Sequence, residues 1–255
     1  MKHILTLIIF LATVGSAGAQ QFIDKAVIEY EVKTSIKKTM STNNGSFGEM
    51  LKDNMSEFKT AYYTYTFANN KSIYKFDRWD TKTKVMEWFK EGDEENNWYV
   101  DFNTGKITVK KQVEGTDFIV MDSIKNIEWK FANESRQIAG FNCRKAVGVI
   151  MDSVYVFAFY TDEITIPGGP VSVNGLPGMI LGLTIPRLYT SYIATKVTVN
   201  NVNEAAIKPT ASKKPYTYTS LQSFIDEKTK EWFTWGDDKE ENKRQKNLFL
   251  WKIFL

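Results

Sequence analysis

The chain has 255 residues, with 33 basic and 30 acidic side chains and a formal net charge of +3. This near-neutral balance argues against a nucleic-acid-binding protein, because such proteins carry a concentrated basic excess. The single cysteine, Cys143, excludes an internal disulfide. With 43% hydrophobic residues, the chain can bury a substantial core, and its length suits one all-β domain or two smaller ones.

The first residues have the pattern of a secretory signal peptide. Lys2 makes the start basic, residues 4–14 are apolar, and small residues end in Ala17-Gly18-Ala19. This pattern predicts export and cleavage after Ala19, with a buried N-terminal helix as the alternative. The apolar run is too short to predict a permanent membrane anchor.

Histidine and cysteine usage limits the chemistry of the exported chain. The single histidine, His3, lies in the predicted signal peptide, so residues 20–255 have none for a catalytic triad, a Cys-His dyad or a zinc site. Cys143 is most simply a small buried hydrophobe, with a reactive or intermolecular thiol as the alternative. We therefore predict no catalytic residue, no metal site and no cofactor.

Alternation of apolar and polar residues predicts a mainly β protein, folded as a single curved antiparallel sheet or partial β-barrel. The run 154–160 is apolar on both faces, which predicts a central position in that sheet. The predicted strands are 26–37, 61–67, 71–78, 84–90, 98–102, 107–113, 118–121, 127–131, 136–151, 153–161, 179–185 and 189–199.

Two regions have helical spacing. The segment 46–59 carries apolar residues at that spacing behind a capping pair, Ser46 and Glu49, which predicts one early amphipathic helix. Helical spacing and mixed charge return over 221–246, which predicts a helical C-terminal extension. The apolar end, 248–255, predicts either a final strand docked on the sheet or an exposed tail, and we favour docking.

These segments divide the chain into three regions. We assign 1–19 to the signal peptide, 20–203 to an antiparallel β domain, and 204–255 to a polar linker, a charged helix and an apolar tail. The acidic loop 91–97 lacks the ligand spacing of an EF-hand and is therefore interpreted as a solvated turn rather than a cation site.

The most informative run is Asn-Gly-Leu-Pro-Gly-Met-Ile-Leu at residues 174–181. Pro177-Gly178 predicts a type II turn, and Leu176, which precedes the proline, is expected to be extended with its side chain outward. A rigid, apolar-tipped loop of this kind suits recognition. The alternative, which we favour for the motif alone, is a loop that folds inward and plugs one end of the sheet. The candidate binding residues are Gly175, Leu176, Pro177, Gly178, Met179, Tyr160 and Pro170.

This run resembles the signature of the GLPGLI family of secreted bacterial proteins, with Met179 where the family has Leu. Matching segments are Ile138–Ala146, Tyr160-Thr161 and Ile166–Pro170, together with a mid-chain tryptophan, Trp129. The resemblance covers about residues 25 to 200. It implies an envelope protein of a Gram-negative bacterium, either periplasmic or associated with the outer membrane, and it implies no catalytic residues.

Three functions are compatible with these features. The first is a non-enzymatic binding or assembly module of the cell envelope, with an outer-membrane or periplasmic protein partner, no nucleic acid and no transmembrane span. The second is a carrier of an apolar ligand, a lipid or hydrophobic peptide, in the concave face of the sheet. The third is a hydrolase that uses Asp162 and Glu163, although adjacent strand residues point to opposite faces. Asp-Ser pairs at Ser123 and Ser153 are candidate O-glycosylation motifs or ordinary turns.

Overall fold

The computed structural model describes residues 22–41, 55–90, 92–113, 115–230 and 239–255. Within these ranges, eleven strands form one antiparallel sheet, which confirms the prediction of a mainly β protein built on a single curved sheet. Among the helices in these ranges, none is both long and apolar enough to cross a membrane.

The strands form two meanders joined at the centre of the sheet. Their order across it is β6-β5-β4-β3-β2-β1-β11-β10-β9-β8-β7, so the pairing of β1 with β11 connects the two halves. The strands are β1 (Ala26–Ser35), β2 (Phe58–Ala68), β3 (Lys71–Trp79), β4 (Asn97–Asp101), β5 (Lys106–Val113), β6 (Thr116–Ser123), β7 (Trp129–Ile138), β8 (Phe141–Ile150), β9 (Val154–Thr161), β10 (Met179–Ile185) and β11 (Thr190–Thr198).

The connection between the two edge strands requires strong curvature. β6 and β7 lie at opposite edges of the sheet, yet only residues 124–128 join Ser123 to Trp129. A flat sheet of eleven strands would separate its edges by about 48 Å, whereas six residue steps reach at most about 22 Å. The sheet must therefore curl, and its concave face encloses the core.

Alternation along the strands selects the side chains of that concave face. In β1, Ala26, Ile28 and Tyr30 are fully buried, while the residues between them are half-buried on the other face. β2 adds further inward aromatic rings, and Tyr63 stacks on Tyr74 of β3 with ring centroids 5.1 Å apart. The core beneath the curved sheet is thus largely aromatic.

One long predicted strand was wrong because a tight turn divides it. The segment 136–151 contains the end of β7, a turn at Ala139-Gly140, where φ is 50° and 90°, and the whole of β8. Two-residue hairpins of this kind need positive φ at both central positions, and glycine adopts it without steric cost. The hairpin predicted at Asn69-Asn70, with φ of 54° and 55°, is confirmed between β2 and β3.

The strand predicted over 84–90 was also wrong. Glu87–Phe89 form one turn of 3₁₀ helix, and Lys84 exchanges two 2.9 Å hydrogen bonds with Ser56 instead of pairing with a strand. The early helix predicted over 46–59 lies mostly outside the described residues. Its last two residues, Phe58 and Lys59, begin β2 instead.

The helices of the described residues are α1 (Ile36–Ser41), α2 (Tyr218–Lys228) and α3 (Lys239–Phe254). α3 confirms the helical C-terminal extension, and an ion pair of 2.7 Å joins Lys246 to Asp226 of α2. The apolar end was predicted to dock as a strand. It docks, but as part of α3, with four side chains in the core: Leu250, Trp251, Ile253 and Phe254.

The polar linker returns to the sheet at Tyr216. Its backbone N–H donates to the carbonyl of Ile119, and its carbonyl accepts from the N–H of Met121, both at 2.8 Å. Its ring packs against Phe118 of β6 and Phe224 of α2, with centroids 5.9 and 5.7 Å away. The linker therefore covers the free edge of β6 and fixes the start of α2.

Candidate functional site

The signature loop, residues 174–180, folds inward against the concave face. Leu176 is 1% exposed, and Met179 and Ile180 are fully buried, so the expected outward position of Leu176 was wrong. The hydroxyl of Tyr30 donates to the carbonyl of Ile180 at 2.6 Å. The loop thus plugs one end of the curved sheet, as the alternative interpretation predicted.

The turn inside the loop is tighter than the expected type II turn. That turn would join the N–H of Met179 to the carbonyl of Leu176. Instead, the N–H of Gly178 donates to that carbonyl at 2.8 Å, and the N–H of Met179 donates to the carbonyl of Ile164 at 3.1 Å. The result is a three-residue γ-turn centred on Pro177, because the neighbouring chain competes for the Met179 donor.

Close backbone contacts hold the loop in place. Gly178 has φ of 140°, and a Cβ there would lie 2.0 Å from the carbonyl oxygen of Thr161, so only glycine fits. Trp129 donates from its indole N–H to the carbonyl of Asn174 at 3.0 Å. Its ring lies over Gly148 of β8, where a Cβ would approach it to 3.0 Å. Glycines and one tryptophan therefore position this end of the molecule.

The structure does not gather the sequence-derived binding residues into one open site. Tyr160 and Pro170 are buried along with the loop's apolar side chains. Gly175 and Pro177 are exposed. A protein partner that contacted the signature loop would meet mainly these two residues.

The two candidate carboxylates follow β9 beside the signature loop, where a Cβ on Gly178 would lie 2.9 Å from the Cα of Asp162. Asp162 is exposed and forms an ion pair of 2.8 Å with Arg144 of β8. Glu163 contributes its backbone carbonyl to the N–H of Ile23 at 3.1 Å. Within the described ranges, no group of three or more His, Cys, Asp or Glu side chains is placed to hold a metal ion.

Cys143 is fully buried in β8, which confirms its interpretation as a small hydrophobe. Its thiol donates weakly to the carbonyl of Phe141 at 3.6 Å. Burial raises the pKa of the thiol to about 12, so the reactive thiolate is scarce at neutral pH.

A cavity of about 480 Å³ occupies the other end of the concave face. Its walls come from β1 to β5 and β11, from the turn before β4, and from α3 at the rim. The lining mixes apolar and polar surface. Its polar and aromatic side chains include Lys59, Tyr63, Tyr74, Asp93, Asn96, Trp98, Lys111, Gln112, Tyr192 and Lys252, and Val113 is among its apolar ones.

The acidic loop before β4 forms one wall of this cavity. Gly92 has φ of 85°, and a Cβ there would lie 2.6 Å from the carbonyl oxygen of Gln112, so glycine lets the turn lie directly on β5. Asn96 is buried and accepts the N–H of Gln112 at 2.8 Å. Asp93 forms an ion pair of 2.5 Å with Lys59. The prediction of a solvated turn was wrong for the buried Asn96, whereas Glu94 and Glu95 are exposed and Asp93 is half-buried.

Lys111 of β5 is the most unusual side chain of the cavity. It is 8% exposed, and its ammonium lies 5.0 Å from the centre of the Trp98 ring. No hydrogen bond or ion pair joins this ammonium to another described residue. Burial lowers its pKa to about 8, an effect that Asp93 opposes and Lys59 reinforces.

Two buried polar atoms of the cavity wall have no hydrogen-bond partner among the described residues: the Tyr74 hydroxyl and the Trp98 indole nitrogen. Native proteins leave few such groups unpaired, because desolvation without a partner costs about 1–3 kcal/mol. Both atoms are shielded from solvent, so a ligand in the cavity would reach them only after a rearrangement of the wall.

Charge in the cavity is positive. Its described lining contains three lysines, Lys59, Lys111 and Lys252, and Asp93 as the sole side-chain carboxylate. Sequence reasoning missed this site because its residues are dispersed from β1 to α3. One signal was present: Lys111 continues the inward phase of Ile107 and Val109 along β5, where a charged residue is unexpected.

Residues 59–224 match the family described as "N-glycanase peptide, N-terminal domain". The chain belongs to this family. The matched segment runs from β2 into α2 and includes the signature loop and most of the cavity wall. No curated protein matches the chain significantly.

Three solved structures, of two proteins, match the chain to different degrees. A structure of PNGF-II in space group C2 shares 14% identity and a TM-score of 0.51, over 79% of this chain and 32% of that one. A second crystal form of PNGF-II has a TM-score of 0.49, with 14% identity over 80% of this chain and 32% of that one. An uncharacterized conserved protein from Thermus thermophilus has 9% identity and a TM-score of 0.36, over 75% and 89% of the two chains. At 14% identity, the first of these structures shows likeness of fold alone, and this chain spans about a third of PNGF-II.

Proposed function

We propose that this protein is an exported, non-catalytic binding module of the cell envelope and that its cavity binds a saccharide. Membership of a family described by an N-glycanase domain supports a glycan-related role. The signal-peptide pattern supports export, and the resemblance to the GLPGLI family supports a periplasmic or outer-membrane-associated location.

The cavity is the observation that carries this proposal. Its volume of about 480 Å³ lies within the usual range of small-molecule sites, roughly 300–1,000 Å³. Aromatic rings of Tyr63 and Trp98 form apolar wall, while Lys111, Asn96 and Gln112 supply polar groups. A saccharide presents apolar ring faces and many hydroxyl oxygens, which match such a mixed surface.

Binding is a better proposal than catalysis for this chain. It spans about a third of PNGF-II, so we do not assign that protein's activity to it. The exported residues contain no histidine, and Asp162 is held by Arg144 on the surface. A hydrolase would need the carboxylates of Asp162 and Glu163 to flank one scissile bond. Adjacent residues of an extended chain point to opposite faces, which disfavours that arrangement.

A carrier of a lipid or hydrophobic peptide is the second candidate. The concave face is large and apolar, which favours it, but aromatic side chains and the signature loop fill most of that face. The remaining cavity holds a buried lysine, which an apolar ligand would leave without a partner. Co-purification of a lipid would support this candidate.

The decisive experiment compares two valine-to-tryptophan variants. Val113 lines the cavity, so Val113→Trp fills its rim, whereas Val149→Trp places the same ring on an exposed position of β8. We expect the wild type and Val149→Trp to bind one member of a saccharide panel by isothermal titration calorimetry, and Val113→Trp to lose that binding. Binding that survives in Val113→Trp would locate the ligand elsewhere.

Export has a separate test. The intact mass of the native protein should correspond to residues 20–255. A mass that retains residues 1–19 would contradict cleavage after Ala19. The same spectrum tests O-glycosylation at Ser123 and Ser153, because each glycan adds a discrete mass.

A further inference from the structure

The buried ammonium of Lys111 is the starting observation. Trp98 lies beneath it at 5.0 Å, and the cation–π attraction of one ring offsets only part of the cost of removing an ammonium from water. Buried lysines without an ionic partner are rare in proteins. A position that carries this cost beside a cavity is a candidate for ligand binding.

The neighbouring charges do not neutralise Lys111. Besides Lys111, the charged side chains in the described part of the lining are Lys59 of β2, Asp93 of the turn before β4 and Lys252 of α3. Asp93 is already engaged, because Lys59 holds it in a 2.5 Å ion pair. An anion entering the cavity would therefore meet a net positive charge and one cation with no competing partner among the described residues.

We propose that the cavity selects acidic saccharides and that Lys111 binds their carboxylate or sulfate group. This inference rests on the proposed function and names its ligand class. Aromatic walls then contact the sugar ring, while the anionic group is held at the Lys111 side of the cavity.

The test uses ligands that share one ring and differ at one carbon. Glucose, glucuronate and glucose 6-sulfate are titrated into the full exported chain by calorimetry, with acetate and sulfate as anions that lack a ring. We expect one of the two acidic sugars to bind about 10- to 100-fold more tightly than glucose, because charge-assisted hydrogen bonds are strong. Acetate and sulfate alone should bind much more weakly.

Variants of two adjacent lysines assign the preference. Lys111→Met should abolish it, whereas Lys111→Arg should retain it because the charge is preserved. Lys110→Met is the matched control: Lys110 is the preceding residue, pairs with Glu95 and Asp117, and does not line the cavity. Circular dichroism and thermal unfolding establish that each variant is folded.

The outcomes separate the two proposals. Equal affinity for glucose and both acidic sugars would overturn the selection of acidic ligands while leaving saccharide binding intact. A preference that persists in Lys111→Met would overturn the role of that residue. No binding of any saccharide from a wider panel would overturn both proposals, and a fatty acid that binds instead would favour the carrier.

Discussion

The two ends of the concave face differ in the polar groups that they bury. At the end closed by the signature loop, side chains donate hydrogen bonds to backbone carbonyls: Tyr30 to that of Ile180 and Trp129 to that of Asn174. The apolar side chains of the loop are buried there. At the cavity end, neither the buried Lys111 ammonium nor the Tyr74 hydroxyl has a hydrogen-bond partner among the described residues. Buried hydroxyls without a partner occur at both ends, because the Tyr65 hydroxyl lies beside Gly168 at the closed end. What distinguishes the cavity end is Lys111, the one charged side chain among the buried residues that the structure describes, which an anionic ligand could satisfy.

This contrast separates a recognisable motif from a candidate site. The signature loop stands out in the sequence because proline and glycine enforce its backbone, and those same residues give it a structural role. The cavity has no local motif, since its side chains come from strands far apart in the chain. Conspicuous glycines therefore mark where the backbone is constrained, which need not be where a ligand binds.

The largest expected effect tests the closed end. Gly178→Ala should lower the free energy of unfolding by about 4 kcal/mol, because its Cβ would overlap the Thr161 carbonyl and its φ of 140° is unfavourable for alanine. Urea denaturation measures the loss. Gly140→Ala is the control, with φ of 90° but no atom within 4 Å of the added carbon, and should cost about 1–2 kcal/mol from backbone strain alone. Equal losses would show that the contact with Thr161 is unimportant.

The next effect has the opposite sign and tests the cavity end. Lys111→Met should raise the free energy of unfolding at pH 7 by about 2 kcal/mol, because it removes a buried charge and keeps a side chain of similar length. Lys110→Met should be neutral or slightly destabilising, since it breaks exposed ion pairs with Glu95 and Asp117. Destabilisation by Lys111→Met would show that the lysine is satisfied in the free protein.

The pH dependence of stability also tests whether the Lys111 ammonium is desolvated. The folded pKa of Lys111 is about 8, against 10.5 as the ordinary value, so the unfolded chain binds more protons between these values. The free energy of unfolding of the wild type, relative to that of Lys111→Met, should therefore rise by about 2 kcal/mol between pH 8 and 10. The difference is the quantity to measure, because burial also raises the pKa of tyrosines such as Tyr30 and Tyr74, which lowers the stability of both proteins as the pH approaches and passes 10. A difference that is flat from pH 8 to 10 would contradict the desolvation of Lys111.

A smaller effect is expected where the signature loop meets β7. Trp129→Phe removes the donor to the Asn174 carbonyl and should cost about 1 kcal/mol. Trp79→Phe is the matched control, because its indole donates to Glu94 on the surface, where water can replace the bond. Thermal unfolding of both variants checks the difference, and equal midpoints would remove Trp129 from the support of the loop.

The smallest effect concerns the surface carboxylate. Asp162→Asn breaks an exposed ion pair with Arg144 and should change stability by less than about 0.5 kcal/mol. Saccharide binding should be unchanged as well. A loss of binding in this variant would move the candidate site from the cavity to the strand end beside the signature loop.

Much of the fold could be predicted from the sequence, because alternation and turn residues are local signals. The alternating residues of β1 and the Asn69-Asn70 turn placed their elements correctly. The turn at Ala139-Gly140 was missed because alanine rarely adopts positive φ, and the apolar end was assigned to a strand because a buried helix and a buried strand look alike over eight residues. The candidate cavity could not be predicted from the sequence, because it depends on which distant strands face one another. The one local signal was Lys111, which lies in phase with the buried Ile107 and Val109.

The hydrogen bonds that Tyr216 makes with β6 have a consequence for self-association. An open sheet leaves two unpaired edges, and such edges can pair with those of other molecules and nucleate aggregates. On β6 the chain supplies its own blocking segment, with Pro215 next to it, a residue that has no N–H to offer an incoming strand. On β7 the protection differs: Glu134 and Arg136 place charges along the edge, and the register is interrupted between Phe131 and Ser135. A curled sheet of this size can therefore remain open and monodisperse without closing into a barrel.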